Sequence, residues 1–173
     1  MTLAPGLRKL GLTAHVGSSV GWLGAVAGSL ALGVAGLTSQ DPQLVRAVYI
    51  TMEWTGWFVL VPLSIASLLT GLVVSLGTRW GLFRHYWVVV KLGMNVFATV
   101  ILLLYMQTLG YLAGLAAEST SSGGGLSGLR DPSAVIHGGG ALVLLLVATT
   151  LSIYKPQGLT RYGQRKQRER RAA

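Results

Sequence analysis

Lys91 stands inside an otherwise apolar run, Trp87-Val88-Val89-Val90-Lys91-Leu92-Gly93-Met94-Asn95. At membrane depth a lysine costs about 2.5–3.5 kcal/mol on insertion scales, so its presence there points to function and raises the question of its partner. An amine in low dielectric offers two chemistries: it holds an anion, or it exchanges a proton with a neighbour. The candidate neighbours are the histidines. His15, His85 and His137 carry side chains that titrate near neutrality, relay protons and bind metals. Asn95, one helical turn from Lys91, adds an amide on the same side.

Those residues need elements to carry them. Residues 10–40, 54–78, 92–117 and 132–154 contain no Asp, Glu, Lys or Arg. Each stretch exceeds the ~20 residues with which an α-helix crosses hydrocarbon. Helices are predicted over about 7–37, 43–76, 82–117 and 133–155. The first is too long for the apolar core of a cleaved signal peptide and reads as a retained span. Asp41 and Pro42 suit an N-cap and the first helical position of the second helix, and Pro62 predicts a bend within it. The Ser/Gly run 119–125 reads as a mobile loop. The fold class is therefore all-α, an integral membrane four-helix bundle over residues 1–156, followed by a basic tail over 157–173.

With 51% of residues apolar and 11% charged, little remains for a water-soluble module. The chain has no cysteine, which excludes disulfides, thiolate metal ligands and covalent c-type haem. The net charge of +9 is explained by its distribution. Basic residues gather before the first span (Arg8, Lys9), between the second and third (Arg79, Arg84), and after the fourth (Lys155 to Arg171), against Arg46 and Arg130 on the other side. The positive-inside rule then puts both termini in the cytoplasm. The tail is expected to touch anionic lipid head groups, at about 1 kcal/mol per cation. Nucleic acid is not an expected partner.

Helical spacing sorts the faces. Gly17, Gly21, Gly24 and Gly28 form a stripe that predicts close packing, with Ser64, Ser67, Gly71 and Ser75 of the second helix as its match, and that would permit a homodimer. His15, Ser18, Trp22 and Ser29 lie opposite, on a face expected to present chemistry. Trp87, Lys91, Met94, Asn95, Ala98, Leu102 and Tyr105 share one face of the third helix. His15 and Lys91 each lie ~7–8 Å below the cytoplasmic boundary at 1.5 Å rise per residue. A shared site is the natural expectation, with snorkelling of Lys91 to the interface as the alternative. His137, followed by Gly138-Gly139-Gly140, lies ~7–8 Å below the opposite boundary. About 15 Å along the membrane normal then separates it from His15, so one iron is not expected to take both as axial ligands. His85, beside Arg84 and Tyr86, reads as an interfacial anchor.

His15 with Trp22 seven residues on and Gly24 just beyond resembles the first helix of HemJ-type protoporphyrinogen oxidases and copper-resistance D membrane proteins. Trp87 and Lys91 resemble the Trp-x-x-x-Lys of the third HemJ helix. A group of uncharacterised bacterial integral membrane proteins shares the layout. The resemblance implies a haem b or porphyrin within the bundle of a bacterial-type plasma membrane protein, with His15 as iron ligand and Trp22, Trp87, Lys91, Asn95 and His137 around the cofactor. Val89 stands where the HemJ type carries histidine, and no arginine follows the first helix before Arg46. The expectation is accordingly cofactor binding rather than protoporphyrinogen oxidation. Copper handling is not expected, because Met52, Met94 and Met106 form no close set with a histidine.

Three functional readings follow. One is a haem- or porphyrin-binding membrane protein, with no firm expectation of enzymatic activity. Another is a small transporter or ion-handling protein using His15, Lys91, Asn95 and His137 as a polar path. The third is a non-catalytic subunit of a larger membrane complex.

Overall fold

The computed structural model describes residues 4–77, 81–118, 126–156 and 158–172. They form α1 (Pro5–Thr38), α2 (Pro42–Thr55), α3 (Val61–Leu76), α4 (Tyr86–Glu118), the single turn α5 (Leu126–Leu129), α6 (Ser133–Tyr154) and α7 (Arg161–Ala172). A π-helical turn, Gly56–Leu60, joins α2 to α3 without interrupting the rod. No strand occurs among the described residues, and one isolated bridge pairs His85 with Leu159. Four helices are long and apolar enough to cross a membrane: Pro5–Thr38, Pro42–Leu76, Tyr86–Glu118 and Ser133–Tyr154. Large apolar side chains such as Leu10, Phe58, Phe97 and Ile153 point outward along them. The expected loop over 119–125 and Arg79 lie outside the described residues.

The second helix begins as its sequence dictates. Asp41 caps it by accepting from the Gln43 amide at 2.9 Å, and Pro42 occupies the first turn, where its missing N–H is no loss. Its bend takes a specific form. Pro62 cannot donate to the turn before it and its ring crowds that turn's carbonyls. The chain answers with a π turn, in which the Val61 amide donates to the Gly56 carbonyl five residues back.

Packing divides the interior into two apolar clusters. Trp22, Val26, Leu60, Ala98 and Leu145 fill the middle. Val45, Val48, Tyr49 and Met52 of α2 meet Leu109, Leu112 and Ala116 of α4 at the far end, beneath Leu129. There the buried Tyr49 hydroxyl donates to the Leu129 carbonyl. At 1.5 Å per residue, α1, α2–α3 and α4 each run about 50 Å. That exceeds the ~30 Å of a hydrocarbon core.

Two expectations need correction. The glycine stripe of α1 packs against the second helix only at Gly21, where a Cβ would meet Leu63 at 3.4 Å; one at Gly17, Gly24 or Gly28 would meet nothing within 4 Å. The buried face is the opposite one: Ser18, Trp22, Val26, Ser29, Gly33 and Gly36. Polar side chains in an apolar bundle need partners from neighbouring helices, whereas glycines carry no such demand. Close approach falls instead at Gly33, against Ala134, and at Gly36, against Val48 and Tyr49. The second correction concerns α4, which starts at Tyr86 rather than Leu82. The segment before it is held by the chain after α6: the Tyr86 amide donates to the Gly158 carbonyl at 3.2 Å, and the Thr160 amide to the Arg84 carbonyl at 2.9 Å. Gly163 sits so tightly beneath Arg84 that a Cβ there would lie 2.4 Å from its carbonyl oxygen. The basic tail is thus a helix, α7, seated on the base of α4.

Candidate functional site

α1, α3 and α4 meet at the end of the bundle that carries α7, and they bring His15, Ser67, Thr70, Lys91 and Asn95 together. His15 Nδ1 lies 3.1 Å from the Ser67 carbonyl oxygen and 3.2 Å from Thr70 Oγ1. A carbonyl only accepts, so Nδ1 carries the proton and Nε2 is left with its lone pair. Lys91 Nζ reaches that lone pair at 3.4 Å. The lysine therefore turns inward, toward α1. Gly71 eases the geometry: a Cβ there would sit 3.0 Å from His15 Cε1, so a larger residue would push the ring away from α3.

Hydroxyls extend the cluster. Ser19 and Ser67 share a hydrogen bond of 2.8 Å, and Asn95 Nδ2 donates to Ser67 Oγ at 3.3 Å. Ser67 is almost fully buried and touches four partners by its side chain or carbonyl, His15, Thr70, Ser19 and Asn95, which makes it the hub. Asn95 Oδ1 is buried without a hydrogen-bond partner. Among the described residues no carboxylate pairs with Lys91. An ammonium with donors to spare, beside an imidazole whose free nitrogen accepts a proton, can hold one anionic group or exchange one proton with it.

The other expected site residues lie elsewhere. Trp87 sits at the base of α4, one turn before Lys91 and half-buried. Trp22 is 1% exposed, in the apolar layer above the cluster. His137 lies beyond that layer, on α6, where its ring stacks on Tyr105 with centroids 4.2 Å apart and an interplanar angle of 16°. His137 Nδ1 donates to the Ser133 carbonyl at 2.8 Å. His15 and His137 thus occupy separate sites, and the layer of Trp22, Val26, Leu60, Ala98 and Leu145 closes any polar path between them in this conformation. His85 pairs by its backbone with Leu159.

A haem fits the His15 side poorly in this arrangement. Lys91 Nζ occupies the approach to Nε2 that an iron would use, and the cavity of about 290 Å³ lined by Trp22 and His137 does not include His15. No group of three or more potential metal ligands occurs among the described residues.

The spacing arguments missed Ser67, Thr70, Gly71 and Ser19 as site residues. Ser67 and Thr70 are one turn apart on α3, and that polar pair in a long apolar helix was the available signal. No family model matches the chain, and neither a curated protein nor a solved structure matches it significantly.

Proposed function

We propose that this chain is a multi-pass membrane protein of the ion-handling or small-transporter kind, which binds one anionic group and exchanges a proton with it at Lys91 and His15. The 3.4 Å contact between Lys91 Nζ and His15 Nε2, with no carboxylate to neutralise the amine, carries this reading. A half-buried cation with no carboxylate partner among the described residues favours an anion from outside the fold. Ser67 and Thr70 hold the imidazole in the tautomer that accepts from the amine.

In the same reading both termini face the cytoplasm of a bacterial-type cell, because α7 and the basic residues near it lie at one end. That end lies against the inner leaflet, with Arg161, Arg165 and Arg168 exposed toward anionic lipid. The open glycine face of α1 is where a second copy or a larger complex would approach.

The test is reconstitution into liposomes with a pH-sensitive dye inside and an outward gradient of chloride, phosphate or acetate. Anion-dependent proton flux is expected, falling at least tenfold in Lys91→Met and in His15→Gln. Equal flux from wild type and Lys91→Met would overturn the proposal. An absorbance spectrum of the purified protein tests the haem reading beside it: a Soret band that vanishes in His15→Ala would replace ion handling with cofactor binding.

A further inference from the structure

A second feature stands apart from that cluster. Between α1, α4 and α6 lies a cavity of about 290 Å³, lined by Trp22, Ser29, Tyr105, His137 and apolar residues, with no Asp, Glu, Lys or Arg in its wall. Such a lining favours a neutral occupant. Phe97 and Ile136, both in the wall, are 58% and 66% exposed, so the cavity opens on the outward apolar surface rather than on the end that carries α7.

Two residues that line it hold polar atoms with no partner in the protein. Trp22 Nε1 and Ser29 Oγ are buried without a hydrogen-bond partner, in residues 1% and 8% exposed. Buried donors are almost always satisfied in native proteins, which makes a pair of orphans at one cavity informative. The indole nitrogen only donates, so what it lacks is an acceptor oxygen. At the other end His137 presents the opposite character. With Nδ1 committed to the Ser133 carbonyl, Nε2 is an acceptor when the ring is neutral.

Shape narrows the class further. His137 and Tyr105 stack nearly parallel, offering a flat surface. Gly138 and Gly140 line the cavity beside them, and a Cβ at Gly140 would meet nothing within 4 Å. Trp22 and Ser29 are seven residues apart on α1, about 10 Å at the helical rise. A six-membered ring with an oxygen on each of two opposite edges, joined to protein by a hydrogen bond of about 2.9 Å at either end, covers a comparable length.

We infer that this cavity binds a quinone-class molecule entering from the bilayer: its ring lies beside the His137–Tyr105 stack, its oxygens draw the covered Trp22 and Ser29 donors toward the cavity, and its apolar tail leaves past Phe97 and Ile136. His137 Nε2 accepts from a hydroxyl of the reduced, quinol form. This inference is independent of the Lys91–His15 proposal, since the two sites share no residue.

The experiment titrates the detergent-purified full chain with decyl-ubiquinone by calorimetry, with decylbenzene, which has the same tail and no oxygens, as the control. Saturable one-to-one binding of the quinone is expected, with no binding of decylbenzene. Gly140→Leu, which fills the space, is expected to reduce affinity at least tenfold. Trp22→Phe and Ser29→Ala are each expected to reduce it about fivefold, the worth of one neutral hydrogen bond. Ala141→Leu serves as a second filling variant if Gly140→Leu does not purify as a folded species. Equal binding of decylbenzene would make the cavity a seat for acyl chains and overturn the inference. Quinone binding unchanged by either filling variant would place the probe elsewhere and overturn it equally.

Discussion

The two polar regions of this bundle treat the same problem in opposite ways. Around His15, nearly every polar atom is spoken for within the protein: imidazole to carbonyl and amine, serine to serine, asparagine to serine. Around His137, across one apolar layer, the wall is hollow and keeps two buried donors unpaired. In an apolar interior each unsatisfied donor costs about 1–3 kcal/mol: the first region is held mostly by its own hydrogen bonds and leaves the Lys91 amine for an outside partner, while the second leaves its wall donors without any. Polarity alone would not separate them; the state of each hydrogen-bonding atom does.

Space should separate them most strongly. Gly71→Leu drives a side chain into His15, whose ring already lies 3.0 Å from the position of the new Cβ. A destabilisation of about 1–3 kcal/mol is expected, the usual range for overpacking. Gly140→Leu meets open space and exchanges a poor helix former for a good one, so it is expected to be neutral or to stabilise by up to about 1 kcal/mol. Unfolding in mixed micelles with increasing dodecyl sulfate gives both values. A matching loss at Gly140 would mean that the cavity is not hollow.

Hydrogen bonding gives the next contrast. Ser67→Ala strands Ser19 and Asn95 and is expected to cost about 1–3 kcal/mol in the same assay. Ser29→Ala removes a hydroxyl that already lacks a partner and is expected to stay within about 0.5 kcal/mol of wild type. Equal costs at the two serines would erase the distinction between the regions.

The smallest effect lies outside both. Lys166 and then Arg165, in contact with Glu169 at 2.9 and 3.2 Å, hold its carboxyl below the usual carboxylate range. A depressed carboxyl contributes stability above its unfolded value, about 4.3, and loses it as pH falls through the lowered folded one. The helicity of α7 should therefore weaken slightly only at the acid end of a circular dichroism titration, and Glu169→Gln should remove that step.

The meeting of His15 with Lys91 was legible in the chain because helical rise converts sequence distance into depth, and both residues lie equally far from charged boundaries. The shared face of Lys91 and Asn95 was legible for the same reason, through helical periodicity. That most of the glycine stripe of α1 would stay open was not. Small residues and polar residues both mark helix contacts, and only the neighbouring helix decides between them: Ser67 and Thr70 on α3 draw the His15 face in. The seating of α7 was equally hidden, because it depends on backbone pairing across some seventy residues with no side-chain pattern to betray it.

The π turn at Gly56–Leu60 has a consequence for everything that follows it. Such a turn is an α-helix with one residue too many, and each residue advances the screw by about 100°. The phase of α3 relative to α2 is thus set by that surplus residue. The wider turn absorbs that residue; were Gly56–Leu60 regular α-helix instead, Ser67, Thr70 and Gly71 would point about a quarter-turn away from α1, and His15 would lose its seat without any change at the site itself.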